Sequence, residues 1–283
     1  MQYYFFVIMS AFLFAMQFLC QQKYEEECGT GIDKALGFSL YKGLTVVVMM
    51  VLLSAFKIEF AWYTVIMSGL YAICYILMAH FSLKAFSVAN LSVYSVFTML
   101  GGMLLPFVIG VSFYKEELSV LKVICCLIVV AAVLMNIQKG KGSKKAFLYY
   151  ILVFLLNGSI ASISKIHESA GFTITGPQSF MFYSGIWTIV ICSIWLLKEN
   201  GKIELFKGKK LLYSAGDGFL NGIGDLLLLI SIAKLDASVQ YPLVTGGVMV
   251  FSTLISITRR EKIRKTEYIA AALALVASVL MAF

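Results

Sequence analysis

Ten runs of roughly 17–25 mostly apolar residues fill this chain, and that is the length a helix needs to cross the hydrocarbon core of a bilayer. They lie at about residues 3–21, 35–56, 61–83, 87–113, 118–137, 146–165, 177–197, 210–233, 237–257 and 266–283. Hydrocarbon offers no partner to a free backbone N–H or C=O, so each run is expected to be a helix that satisfies its own backbone. The breaks between runs are short and polar, among them Gln22 to Lys34 with Glu25, Glu26 and Glu27, and the lysine-rich segment 139–145. No water-soluble domain fits between them. Composition agrees: 60% of the residues are hydrophobic and 13% charged, with a mean hydropathy of +0.90, whereas a soluble domain carries about 25% charged residues. The fold class is therefore all-α integral membrane protein, multi-pass, with ten transmembrane helices. Pro177 begins a run, a position that tolerates proline, while Pro106 and Pro242 lie inside runs and are expected to kink or open them.

A net charge of +8 would suggest nucleic acid in a soluble protein. Here the basic residues cluster in short loops, which points to membrane orientation and to no nucleic-acid partner. If the N-terminus lies outside, 17 of the 23 Lys and Arg fall in inside loops, so the charge distribution favours termini outside. The N-terminal run lacks a basic flank and a small-residue cleavage site, and reads as a retained helix. The six cysteines are scattered without a CxxC spacing. They read as small buried hydrophobes, not as a metal site or a disulfide frame. His167 and Glu168 fall after the sixth run and read as solvated loop residues.

Internal similarity divides the chain in two. Phe38-Ser-Leu-Tyr41-Lys-Gly43 matches Phe180-Met-Phe-Tyr183-Ser-Gly185 at an offset of 142, Gly101-Gly102 and Glu116 match Gly246-Gly247 and Glu261 at 145, and Gly69 matches Gly218 at 149. Residues 1–140 and 144–283 thus read as two five-helix repeats. A unit with an odd number of helices ends on the side opposite its start, so the second copy is inverted, an arrangement that places a substrate site near the midplane between the halves.

The eighth run breaks the symmetry. Asp217, Asn221 and Asp225 are spaced four apart and share one helix face, and Gly218, Gly222 and Gly224 beside them let a helix or ligand approach closely. At the same offset the first half carries Ser68, Ala72 and Ile76. An Asp at mid-membrane costs about 2.5–3.5 kcal/mol on insertion scales and normally faces a protein interior or a water-filled cavity. Asp225 reads as a carboxylate that binds a cationic substrate or exchanges a proton for it, or else as a structural Asp paired with Lys42. Asp217 sits either at a cavity mouth or at a solvated helix end. Lys42 is either the counter-ion of an Asp or a side chain that snorkels to the interface. A Lys42–Asp225 pair would suit a zwitterion, with one charge for each end.

Ten helices in two halves, with a Gly-Gly pair and then an acidic-basic segment before each half's last helix, resemble the drug/metabolite transporter superfamily, EamA-type exporters in particular. Leu100-Gly-Gly-Met-Leu-Leu-Pro106 with Tyr114-Lys-Glu-Glu-Leu118, and Gln240-Tyr-Pro-Leu-Val-Thr-Gly-Gly247 with Arg259-Arg-Glu-Lys-Ile263, carry the resemblance across the whole chain. Lys23 and Lys165 resemble the family's recurring Asn/Ser-Lys at the ends of helices 1 and 6. The resemblance implies a central cavity lined by helices 1, 3, 4, 6, 8 and 9, and export of metabolites, amino acids or drug-like cations across a bacterial inner membrane. Family members often have both ends in the cytoplasm, opposite to the charge count above. Related small multidrug proteins place an essential Glu in helix 1, where this chain has only Ser10, Gln17, Gln21 and Gln22.

On the helices that would line such a cavity stand Gln17, Tyr71, Tyr75, Tyr94, Thr98, Gln240, Tyr241 and Thr245, whose aromatic members suit an organic cation. The expected function is a secondary transporter of a small amino-acid-like or cationic compound, working by alternating access. Its expected partners are that substrate, membrane lipid and protons as coupling ion. No cofactor, metal or enzymatic activity is expected, and the two halves can pair within a monomer or a homodimer. A lipid-linked substrate flippase is the alternative. A third reading comes from Gly222-Ile-Gly224-Asp225, which matches the GxGD signature of intramembrane aspartyl proteases. That chemistry needs a second carboxylate on another helix, and Asp217 lies on the same helix, about 12 Å away by helical rise.

Overall fold

The computed structural model describes residues 2–88, 91–114, 120–134, 143–200, 206–232, 234–235, 237–261 and 265–281. These form helices α1 (Gln2–Cys28), α2 (Ile32–Leu53), α3 (Trp62–Phe86), α4 (Leu91–Tyr114), α5 (Val120–Leu134), α6 (Ser143–Glu168), α7 (Pro177–Asn200), α8 (Lys209–Ile232), α9 (Ala237–Thr258) and α10 (Lys265–Met281), with no strand among the described residues. Eight of them are long and apolar enough to cross a membrane, while α5 and α10 span 15 and 17 described residues. The protein is thus an all-helical, multi-pass membrane protein. Large apolar side chains such as Val48, Leu52, Ile66, Leu70, Val108 and Ile194 stand exposed on the outside of the bundle, where lipid takes the place of water.

The first polar break is far shorter than its composition suggests. α1 continues through the three glutamates to Cys28 and stops at Gly29, whose φ of +79° is the left-handed turn that ends a helix. Burial explains the extension. Tyr24 is fully enclosed, donates to the Lys34 carbonyl at 2.9 Å and packs on Phe38 and Phe206. Glu26 pairs with Lys23 at 2.5 Å and Arg259 at 3.2 Å, and Glu27 pairs with Lys209 at 2.7 Å. These acids tie the ends of α1, α8 and α9 together. α4 runs helically through Pro106. The side chain of Pro242 and the 115–118 part of the first acidic motif lie outside the described residues.

Helix neighbours nearly all follow one rule: exchanging each helix for the one five places along maps the neighbour set onto itself, with α1 beside α4 the exception. α1 packs on α8 as α6 packs on α3, α2 on α8 as α7 on α3, and α4 on α6 as α9 on α1, while α2/α7, α4/α9 and α5/α10 map onto themselves. Two glycines show the rule in atomic detail. A Cβ on Gly43 would lie 3.2 Å from the Gly185 carbonyl, and one on Gly185 would lie 3.2 Å from the Gly43 carbonyl. That reciprocity is what a two-fold contact produces. Likewise Gly69 abuts Trp187 and Gly218 abuts Thr45, four residues that correspond in pairs.

Candidate functional site: a carboxylate-bearing cavity

α8 is wedged between α1 and α2 because its glycines remove the side chains that would hold them apart. A Cβ on Gly218 would lie 2.8 Å from the Lys42 carbonyl, and one on Gly224 would lie 2.7 Å from the Phe14 ring; Gly222 faces Met49. The Gly-x-Gly spacing before Asp225 therefore serves close helix packing. The polar stripe of α8 then points between α1, α2 and α3.

Each member of the stripe meets a different partner. Asp217 is fully buried and forms an ion pair with Lys42, itself 3% exposed. Lys42 is thus the counter-ion of an Asp, as one of its two expected readings had it, but of Asp217 and not of Asp225, and its ammonium does not snorkel to the interface. The same pair corrects both expectations for Asp217, which occupies neither a cavity mouth nor a solvated helix end. Close glycine-mediated contact of α8 with α2 puts Lys42 level with Asp217, two turns from Asp225. The Lys42 ammonium also donates to the Tyr75 hydroxyl and lies 4.1 Å from that ring's centroid. Asn221 accepts from Tyr75 at 2.9 Å and reaches Gln17 at 3.5 Å. Asp225 accepts from Tyr71 at 3.1 Å, and Tyr71 stacks on Tyr75 with centroids 5.8 Å apart.

Asp225 and Asn221 line a cavity with about 790 Å³ of space between atoms, including its open part. Gln17, Tyr71, Tyr75, Gln240, Tyr241 and Thr245 line it as expected. Two expected members do not. Tyr94 is enclosed, bonded to Ser82 at 2.6 Å and set edge-on against Phe18 at 5.0 Å. Thr98 is buried away from the cavity, and its carbonyl accepts from Asn157 at 2.8 Å. Asn157, absent from the sequence-based set, lines the cavity from α6. A lone amide inside the apolar run 151–163 was the signal for it. The polar lining is itself held in place: Gln240 donates to the Leu228 carbonyl at 2.8 Å, Tyr241 to that of Ala161 at 3.2 Å and Thr245 to that of Met99 at 3.2 Å. Apolar walls come from Phe14, Phe18, Met78, Met99, Leu228 and Leu229.

A second, smaller space of about 300 Å³ lies beyond Tyr71, Tyr75 and Asn221, lined also by Lys42, Ser184 and Thr188. The two tyrosines and the asparagine are the wall between the spaces, with Asp225 on one side and Lys42 on the other. Elsewhere, His167 departs from its expected solvated loop. It lies in the last turn of α6, fully buried, 2.9 Å from the Thr64 hydroxyl and packed on Phe180.

No protein-family model and no curated protein matches the chain. Among solved structures, a crystal structure described only as that of a protein superimposes with a TM-score of 0.69, covering 99% of this chain and 97% of its own, at 14% identity. At that identity the similarity is one of fold, and it runs the length of both chains.

Proposed function

We propose that the protein is a secondary transporter of small organic cations, built as ten transmembrane helices in two inverted five-helix repeats, residues 1–140 and 144–283. Asp225 in the shared cavity is its binding carboxylate. The observation that carries this reading is a carboxylate exposed to a cavity inside an apolar helix bundle, among aromatic and amide side chains. A buried carboxylate in a membrane protein is costly and marks a pathway for ions or substrate, and aromatic faces stabilise organic cations. The exchange symmetry of helix neighbours and the reciprocal Gly43–Gly185 contact support the repeat. Resemblance to EamA-type members of the drug/metabolite transporter superfamily supports the same class and a bacterial inner membrane.

The position of Lys42 sharpens the substrate class. Its charge is taken by Asp217, on the far side of the tyrosine wall, so among the described lining residues a zwitterion's carboxylate finds no cation beside Asp225. Cations suit the cavity better than amino acids. A flippase for anionic lipid-linked substrates needs basic residues at the cavity, and the described lining residues include none.

The test is an uptake screen of organic cations and amino acids in proteoliposomes under imposed pH gradients, comparing wild type with Asp225→Asn. Uptake of a cation that is lost in the variant supports the proposal. Uptake that survives the substitution contradicts it.

A further inference from the structure

With all three groups ionised, Lys42, Asp217 and Asp225 together carry a charge of −1 in a water-poor interior. The groups facing Asp217 are Lys42 from α2, Gln17, Cys20 and Gln21 from α1, Tyr75 from α3 and Tyr94 from α4, with Asp225 on α8 itself. Lys42 acts on both carboxylates but can neutralise one at a time. A buried charge left unpaired is strongly unfavourable, so the group needs one more positive charge. Substrate can supply it only at Asp225, because Asp217 is sealed and does not line the cavity. A proton needs no cavity, so it is the one positive charge small enough for Asp217 to take.

We propose that the Lys42–Asp217 pair is a proton site, closed to substrate, that exchanges one proton for one cation held at Asp225. The exchange rests on the cation reading of the cavity. A hydronium ion gives its proton to a carboxylate oxygen of Asp217, so that one O–H bond breaks as another forms and water is left behind, and the Lys42 ammonium loses its counter-ion. The ammonium is already bonded to Tyr75, which stacks on the tyrosine that donates to Asp225. Its flexible four-carbon stem lets it turn past that wall toward Asp225, neutralise it and release the bound cation. Cation binding runs the steps in reverse: Lys42 returns to Asp217, and the Asp217 proton leaves to water. The network carries −1 and one extra positive charge in both states, so the exchange is electroneutral at the site.

Two measurements on the purified full-length protein test this. The first is the pH dependence of benzyltrimethylammonium binding, a probe that carries no titratable proton. One competing proton weakens wild-type binding roughly tenfold per pH unit on the acid side; in the Lys42→Met/Asp217→Asn variant only Asp225 is left to take a proton, and the pH at which the slope begins is expected to move. A slope that begins at the same pH in wild type and the double variant overturns the proposal. The second needs no ligand: the infrared carbonyl band of a protonated carboxylic acid, followed as pH falls. The band is expected to shift in Asp217→Glu and to stay in place in Asp225→Glu, both of which keep the charges that the exchange needs. A shift in Asp225→Glu alone, or no band in wild type, overturns the proton site. A wild type that binds no organic cation while showing the Asp217-dependent band refutes the cation reading and the exchange, and leaves Asp217 as a proton site.

Discussion

At the scale of single residues, the site is defined by which partner each charge finds. Removing one member of a buried pair leaves the other uncompensated, at a cost of about 3–5 kcal/mol. Lys42→Met is therefore expected to lower stability by that order, and Lys42→Met/Asp217→Leu to recover most of the loss, as read by chemical denaturation in detergent. Equal losses in single and double variants would contradict the pair. Tyr94→Phe removes a bond to Ser82 of 2.6 Å, costs about 1 kcal/mol and leaves cation affinity unchanged, since Tyr94 does not line the cavity. A large drop in affinity on equilibrium binding would return it to the cavity. The stripe Asp217–Asn221–Asp225 was legible in the sequence because spacing alone puts residues four apart on one face. The partner of Lys42 was not, because the level at which α2 crosses α8 depends on Gly218 meeting the Lys42 backbone. Nor could spacing separate Tyr75 from Tyr94: both are tyrosines in almost uniformly apolar helices, where periodicity does not reveal the inward face.

At the scale of helices, glycine placement decides how the elements meet. Gly216 and Gly218 lie two residues apart on α8, yet a Cβ on Gly216 meets only the Cys20 sulfur at 3.6 Å, an ordinary contact, while one on Gly218 collides with α2 backbone. Gly218→Ala is expected to destabilise by about 1–3 kcal/mol, as overpacking does, and Gly216→Ala to be tolerated. Thermal unfolding in detergent distinguishes them, and equal behaviour would contradict the close seating of α8 on α2. Helix existence was legible throughout, since apolar length alone demands it. Helix ends were less so. The acidic cluster 25–27 looked like a loop, and it stays helical because Tyr24 is anchored by α2 and the glutamates find Lys23, Arg259 and Lys209. Those are tertiary contacts with no local signature.

At the scale of the molecule, the ends of α1, α8 and α9 joined by Arg259, Lys209 and the glutamates are the basic-rich end of the bundle. The cavity is lined by the opposite halves of α8 and α9. The positive-inside rule puts the basic end in the cytoplasm, so the proposed orientation has the cavity on the outer side of that ion-pair network. In a cysteine-free background, Phe172→Cys is expected to react with a membrane-impermeant maleimide in intact cells, and Lys207→Cys only after permeabilisation. The reverse pattern would give the opposite orientation. The matched glycines Gly43 and Gly185, which the sequence offered as a sign of the proposed repeat, meet each other in the fold because close helix approach admits no larger residue. The asymmetric charge was visible too, but its division into an exposed and a sealed carboxylate needed the third dimension. Whether Asp225 holds a cation in this cavity is measured most directly by equilibrium binding of a transported organic cation to purified wild type and Asp225→Asn. Saturable binding by wild type is expected, together with its loss in a variant that still elutes as a folded protein; equal affinity in the two would contradict the assignment of Asp225 as the binding carboxylate.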